Sequence, residues 1–544
     1  MLHVAGHDLP WLARGAVVLA VLAGAVWLGD RLRRSTDRRT ALLLAGLVGL
    51  ALAVRFTGLS HEVEGRYYLD EGTYYHHASE IDAGRWLRLS FVYPHFVYYA
   101  DAVALWLAGL FPGVAGGIAG AVGVTDPLGV SWLGLRGVVA ILSALTVVPV
   151  FRIAERLAGW RGGTAAALLL IFSPLFNAGS HLNTCDVPSG VFATLCLLFV
   201  ARLIDEESAH NYVLAGIAAG LAAGSKYPAG VVAVAIVAVW VRWRLVRRDF
   251  RWGLLWAGLA AVAALVAVMP SLVVFPEAAF LGNRGIFYGT RQYGQGGWLG
   301  VMPRSNGLFY AGHLLDSFGI PAVLAGLSGL LLIRRGERHR WLWLLPFPVI
   351  FLALLTSMSM VVKRNLYPAV PILAALLGVG IAVWWEQIEK RLQRPAIRSA
   401  LVAGLALACL ALPLQETVAQ DISLARPTTR EEAAAWIRAN VPAGASIMKE
   451  SYTPDFPAGT FRVLHQRFVT RLSIDELRRF DYVLVANAAY GRFADPAALT
   501  KPHQRAMAER YAEIFRTFEL VREWRPAGLQ EGPVLRLYRP SRSQ

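Results

Sequence analysis

The sequence predicts a polytopic α-helical membrane protein with about twelve spans, interfacial helices in its first outer loop and a small soluble α/β C-terminal domain. Three observations predict it. The 544 residues are 56% hydrophobic and only 17% charged, with a mean hydropathy of +0.46. A soluble domain is about 25% charged. Apolar runs close to the roughly 20 residues that cross a bilayer recur along the chain. From about residue 420 the composition shifts to charged, amphipathic segments.

The apolar runs fall at about 11–29, 41–59, 132–151, 163–181, 186–204, 211–225, 228–242, 253–275, 311–333, 341–361, 366–385 and 399–417. No small-residue cleavage site follows the first run, so it reads as a retained span. Five basic clusters separate the runs: "DRLRRSTDRR" (30–39), "FRIAERLAGWR" (151–161), "RWRLVRRDFR" (242–251), "RRGERHR" (334–340) and "EQIEKRLQRPAIR" (386–398). All five share the cytoplasmic side if the short run 94–111, which carries Asp101, lies flat on the surface as an interfacial helix. Both termini are then outside. So are 60–93, 180–186, 225–228, 276–310 and 363–365, and the polar residues converge on that face.

Residues 1–40 form an extra span with its basic loop, 41–420 the membrane domain (first outer loop 60–131), and 421–544 the outer domain. In that domain "TTREEAAAWIRANVPAGASIMKES" reads as helix, turn and strand. Thr429 and Glu432 have capping-box spacing. "DYVLVANAAY" and "PVLRLYRP" are further strands, and a helix places Met507, Tyr511, Ile514 and Phe518 on one face. The formal net charge of +16 comes from clusters between spans, so it marks topology and not nucleic acid binding. Cys185, Cys196 and Cys409 lie in or beside apolar runs without metal-ligand spacing.

The stretch "RYYLDEGTYYHHASEIDAGRW" (66–86) interrupts this pattern with carboxylates. Its periodicity predicts a helix after Gly72, with Tyr74, Ala78 and Ile81 on one face and Gly84 at the end. Asp70 and Glu71 sit just before the first turn, where the helix dipole favours the ionised form. A carboxylate held there is suited to accept a proton from a hydroxyl or amine. The same position also suits a helix N-cap in a solvated loop. His76 and Glu80 are four residues apart, a spacing read as solvated helix polarity in preference to a metal site.

An acidic pair after an early span, an amphipathic helix, an aromatic-proline stretch and a surface helix together resemble the first outer loop of the GT-C glycosyltransferases. The similarity is to the protein O-mannosyltransferases and aminoarabinose-lipid transferases. It is carried by "YLDEGTYYHHA", "FVYPHFVYYAD" (91–101), "SPLFNAGSHLNTCDVPSGVFATLCLLF" (173–199), "GLAAGSKYPAG" (220–230) and "KRNLYPAVPILAALLG" (363–378), over about 40–400. Tyr93-Pro94-His95 stands where the family often has His-Pro-Pro, which leaves the acceptor type open.

The resemblance implies sugar transfer from a polyprenyl-phosphate donor to a lipid, glycan or protein acceptor at the outer face of the plasma or inner membrane. Asp70 becomes the general base or an acceptor-orienting carboxylate, supported by Glu71. The departing lipid phosphate requires cations at headgroup depth, which assigns it Lys226, Lys363 and Arg364; each also suits a snorkelling interfacial anchor. Asp186 matches an acidic position of the family and positions substrate, with His181, Asn183, Tyr93 and His95 as further contacts. Arg291 as a further donor-phosphate contact and Tyr293 as a ring that stacks on sugar, with Tyr288 and Trp298, give the Gly-rich loop 276–310 the composition of a lid, or of an ordinary surface loop. No P-loop or dinucleotide-binding glycine pattern is present, no cofactor is expected, and a divalent ion at Asp70 and Asp186 is not favoured. The rival classes are a flippase for lipid-linked glycans, which requires ionisable groups inside its spans, and a non-catalytic assembly protein.

Overall fold

Seven helices are long and apolar enough to cross a membrane by length and composition, or up to nine if each of two sharply bent pairs is one span. They belong to a computed structural model that describes residues 37–540, apart from 64, 66–68, 86–89, 248–251, 284, 296–304, 334–337, 457–458, 495–498 and 500–501; the helix count refers to the described residues. The run 11–29 lies outside them. Other differences from twelve spans have local causes. Runs 211–225 and 253–275 form the shorter helices Ala209–Ser225 and Gly253–Val268. Run 163–181 is not one helix: the Val147–Ile171 helix stops at Phe172, and Ser173 caps a separate helix, Pro174–Ser180. The break between runs 132–151 and 163–181 is at Ala158 and Gly159; Gly159 has φ 66°, ψ −171°, a conformation open to glycine.

Small residues set the closest helix contacts. A Cβ at Gly216 would lie 2.1 Å from the Ala257 carbonyl oxygen, and one at Gly220 would lie 2.2 Å from that of Ala261. The helices Ala209–Ser225 and Gly253–Val268 therefore touch backbone to backbone, as small-xxx-small pairs allow in membranes.

Four of the five basic clusters meet at one end of the bundle. Arg156 and Arg340 both pair with Asp205, at 3.0 and 2.7 Å, Arg161 with Glu389 at 2.6 Å, and Arg244 with Glu207. The opposite end gathers the polar links. There Leu59, Val63, Val124 and Trp132 share one apolar cluster. Chain entering the first loop thus returns to the end it left, and the run 94–111 does not carry it across. That run forms Phe96–Leu110, followed after a 101° bend by Pro112–Ala121.

The helix of the acidic stretch spans Leu69–Asp82 and starts before Gly72, so Asp70 and Glu71 lie inside its first turn and not ahead of it. Tyr74, Ala78 and Ile81 are buried as the periodicity requires, and Gly84 follows at φ 84°. Glu80 is held by Arg85 at 2.6 Å.

The C-terminal domain is a helix–sheet–helix layer. Strands β1 (Ser446–Glu450), β2 (Arg462–Gln466), β3 (Tyr482–Ala486), β4 (Glu519–Trp524) and β5 (Leu535–Arg539) are ordered β2-β1-β3-β5-β4. β1 is parallel to β2 and β3, and β5 is antiparallel to β3 and β4. The Thr429–Asn440 helix packs Ala433 and Ile437 on one sheet face. The Pro502–Thr517 helix packs Tyr511 and Ile514 on the other, with Phe518 buried and Met507 packed against them. The capping box is Thr428 with Glu431, one residue before the expected Thr429 and Glu432, whose Thr429 hydroxyl instead donates to the Pro533 carbonyl at 2.7 Å.

Candidate active site

Four segments that interrupt apolar runs meet through charge. Arg364, in the 3-10 turn Lys363–Leu366, is ion-paired to Asp70. Its Nε is 4.0 Å from Asp186 Oδ2, and the other Asp186 oxygen holds Lys226 Nζ at 2.5 Å. Lys226 also donates to Asn365 Oδ1 at 3.2 Å, and Asn365 donates to the Tyr310 hydroxyl at 3.3 Å. Local structure explains each placement. Asp70 rides the first turn of Leu69–Asp82, Asp186 opens the Asp186–Asp205 helix, and Lys226 ends Ala209–Ser225 ahead of Pro228. Alternating charges in a protected site interact more strongly than in water.

A second layer holds this one in place. Glu71 is buried and receives a bidentate fork from Arg136, at 2.8 and 2.6 Å, together with the Asn183 amide at 2.7 Å. Arg136 also donates to the carbonyls of Leu59, at 3.2 Å, and His61. Asn183 reaches the buried Asp101 at 2.6 Å. Glu71 therefore sits beneath the site with its oxygens occupied; its geometry is that of a group that positions the Asp70 turn. The signal for Arg136 was a lone arginine within an apolar run.

Above Asp70 lies a cavity of 1050 Å³ between the membrane helices and the C-terminal domain. Asp70, Lys363, Arg364, Tyr93 and His181 line it, while Lys226 and Asp186 lie behind Arg364. Lys363 is exposed and has no carboxylate partner among the described residues. The cavity's C-terminal wall (Tyr452, Arg467, Phe468, Asn487 and Arg492) has no counterpart among the residues expected from sequence.

The other expected contacts are placed differently. His95 is buried away from the cavity, with Nε2 3.1 Å from the Ser90 carbonyl and Nδ1 3.3 Å from Ser271 Oγ. Burial pushes its imidazole down to about 4, which keeps it neutral among its packing partners. His181 reaches the cavity edge with both nitrogens bound to backbone, at 3.0 Å to Asn177 O and 2.8 Å to Thr57 O. Arg291 is exposed on Ile286–Gln295, and no contact joins it to the Asp70 cluster among the described residues. The Tyr293 side chain and Trp298 lie outside the described residues. No group of three or more His, Cys, Asp or Glu able to hold a metal ion occurs among the described residues.

Residues 123–274 match the family model of dolichyl-phosphate-mannose-protein mannosyltransferases. That segment includes Arg136, Asn183, Asp186 and Lys226, while Asp70 and Arg364 lie outside it. No curated protein matches the chain by sequence. Its fold is similar to ArnT from Cupriavidus metallidurans bound to undecaprenyl phosphate, at 16% identity and a TM-score of 0.53, covering 91% of this chain and 98% of that one. The apo form of ArnT gives 18% identity and a TM-score of 0.54, with 92% and 98% covered. The oligosaccharyltransferase AglB from Archaeoglobus fulgidus, in complex with an inhibitory peptide and a dolichol-phosphate, gives 14% identity and a TM-score of 0.53, with 85% and 72% covered. The chain thus shares the fold of these glycosyltransferases, and its residues 123–274 are similar to the mannosyltransferase family model.

Proposed function

We propose that this chain transfers a sugar from a polyprenyl-phosphate donor to a lipid, glycan or protein acceptor at the outer face of the cell membrane. The observation that carries the reading is Arg364, paired with Asp70 at the floor of a cavity it shares with Lys363. A carboxylate and a cation pair in one cavity match the two demands of the reaction: a proton acceptor and a counter-charge for the leaving phosphate. The ArnT and AglB structures, which hold undecaprenyl phosphate and dolichol-phosphate, support a polyprenyl-phosphate ligand here. The gathering of basic clusters at the opposite end supports a cytoplasmic location for that end, with the cavity outside.

In this mechanism the donor phosphate competes for the Arg364 guanidinium, with Lys363 alongside. Asp70 is then released to take the acceptor's proton as its oxygen attacks the anomeric carbon and the carbon–oxygen bond to phosphate breaks. The phosphate leaves with both electrons, neutralised by Arg364 and Lys363. Lys226 and Asp186 hold Arg364 in register from behind. Glu71 and Arg136 fix the turn that carries Asp70.

The test is transfer from a radiolabelled polyprenyl-phosphate sugar by the purified protein in nanodiscs, with membrane extract as acceptor source. Asp70→Asn keeps size and loses the base, so turnover should fall by about 10²- to 10⁴-fold with donor binding retained. Full activity in Asp70→Asn at wild-type thermal stability would remove Asp70 from the chemistry. Glycan translocation without transfer would favour a flippase.

A further inference from the structure

We propose that Asp101 is held as a neutral carboxylic acid that closes a two-bond ring with the Asn183 carboxamide, and that this ring positions the link carrying Asp186. The positioning role rests on the glycosyltransferase reading above; the protonation does not. Asp101 is the carboxyl group that interrupts the apolar run 94–111, and it takes no part in the transfer steps. It sits on the interfacial helix Phe96–Leu110, 0% exposed, against Asn183 at 2%.

The hydrogen bonds of this pair leave two oxygens over. Asn183 Nδ2 donates to Asp101 Oδ2 at 2.6 Å. Asp101 Oδ1 and Asn183 Oδ1 are both buried, and neither has a donor among the described residues. An ionised carboxylate accepts and does not donate, and so does a carboxamide oxygen, so an ionised Asp101 leaves both unmet. A proton on Asp101 Oδ1 makes it a donor to Asn183 Oδ1 and satisfies both with one bond. The result is an acid–amide ring, with the Asn183 N–H donating on one side and the Asp101 O–H on the other.

Charge balance leads to the same state. Glu71 and Asp101 are two carboxyl groups joined through Asn183 in one buried network. Arg136 is committed elsewhere, with Nε and one terminal nitrogen on Glu71 and the other on the carbonyls of Leu59 and His61. No arginine, lysine or histidine pairs with Asp101 among the described residues. Burial and the charge of Glu71 both push the Asp101 carboxyl upward. Active sites elsewhere keep a buried acid neutral so that it can donate a hydrogen bond.

The ring ties three segments together. The Asn183 backbone N–H donates to Glu71 Oε1 at 2.7 Å, so this one residue joins the helix Leu69–Asp82, which carries Asp70, to Phe96–Leu110. Three residues on, Asp186 opens its own helix and holds Lys226, with Arg364 at 4.0 Å. Asp101 therefore acts on the site through Asn183, as a positioning residue. An ionised Asp101 would set a second, unpaired negative charge near Glu71, which disfavours both.

The test uses the full-length protein in nanodiscs, with aspartate isotope-labelled at its side-chain carboxyl. The infrared difference spectrum, wild type minus Asp101→Asn, should show the carbonyl stretch of one protonated carboxylic acid at neutral pH, moved to lower frequency by the label. Asp101→Asn rebuilds the ring without a proton, because its carboxamide supplies the second N–H. Its turnover should stay within about twofold of wild type, whereas Asp101→Ala, which leaves Asn183 unpaired, should lose about tenfold or more. Melting temperatures should follow the same order. Absence of an acid carbonyl from the difference spectrum overturns the proposal: Asp101 is then ionised, with its second oxygen met by water or a cation. So does an Asp101→Asn variant as impaired as Asp101→Ala, which would show that the negative charge itself is needed. Full turnover in Asp101→Ala overturns the positioning role. If Asp101→Ala fails to fold, the spectrum and Asp101→Asn still decide. A wild type that shows the acid carbonyl but transfers no sugar from a radiolabelled polyprenyl-phosphate donor would reject the glycosyltransferase reading and leave the ring standing.

Discussion

Arg364 forks between Asp70 and Asp186, two carboxylates contributed by different polar interruptions of the bundle. The contact to Asp70 closes a loop of 294 residues. It puts the expected base and the expected phosphate ligand in each other's grip, so that one group is released when the other is used.

Replacement of Arg364 separates these roles. Arg364→Ala should raise the donor KM by about tenfold or more, because one charge-assisted phosphate contact is lost, and should lower the melting temperature by leaving Asp186 with Lys226 alone. Arg364→Lys should recover little, since an ammonium cannot span two carboxylates as a planar fork does. Lys363→Ala should weaken donor use at unchanged stability. Donor titration and thermal unfolding on the same preparations check all three, and wild-type donor affinity in Lys363→Ala would reduce that residue to an interfacial anchor.

A packing change far from the cavity should also reach it. Gly220→Leu forces a side chain against the Ala261 carbonyl, where even a Cβ would stand at 2.2 Å. Overpacking of this kind costs about 1–3 kcal/mol. Because Ala209–Ser225 ends at the residue before Lys226, the displacement should carry to the Lys226–Asp186 pair. The expected result is a lower melting temperature in detergent together with reduced donor affinity. Gly258→Ala, which meets open space, should do neither.

Much of this arrangement was legible because polar residues interrupting apolar runs have few places to go. The links 60–93, 180–186, 225–228 and 363–365 meet as sidedness required. The periodicity of Tyr74, Ala78 and Ile81 gave the buried face of the acidic helix. Other features lacked a local signal. β2 and β4 escaped notice because they are the sheet's two edges, exposed and charge-bearing, without the apolar alternation of a half-buried strand. Arg136 belongs to an apolar run and its partner Glu71 lies 65 residues away. The C-terminal wall could not be read at all: Glu62 and Arg430 are 368 residues apart, and only the docking of two domains makes them neighbours.

Within the C-terminal domain, Glu450 should make stability depend on pH. It is buried and accepts from the Ala486 amide at 2.8 Å, the Val469 amide at 3.2 Å and the Tyr511 hydroxyl at 2.6 Å. Burial raises its carboxyl from 4.5 to about 7, against the lowering effect of those donors and Arg492. Folding then favours the protonated form. The contribution is fully present below about 4.5 and is lost as pH rises to about 7, a change of about 3 kcal/mol. Hydrogen exchange of the β1 and β3 amides in the full chain should show protection falling over that window. Glu450→Gln should flatten the slope; an unchanged slope would place the titration elsewhere.

The join between the two domains gives the last prediction. Arg430, in the first turn of Thr429–Asn440, meets both Glu62 oxygens, at 2.8 and 2.9 Å, and the Tyr452 carbonyl. Both Glu62 and Tyr452 are in the left-handed region, so the arginine secures two strained residues as well as a charge. Arg430→Ala leaves the buried Glu62 carboxylate without its partner, a loss of about 3–5 kcal/mol for a buried pair. Relaxation of the Glu62 and Tyr452 turns should loosen the domain from the bundle. Proteolysis at the 425–428 linker should accelerate, and turnover should fall with donor binding retained. Glu62→Gln added to Arg430→Ala removes the unpaired charge and should restore part of the stability. Without the arginine to hold the Glu62 and Tyr452 turns, turnover in the double mutant should stay below wild type. A double mutant as unstable as Arg430→Ala alone would show that the penalty lies in lost packing of the arginine and not in the unpaired charge of its partner.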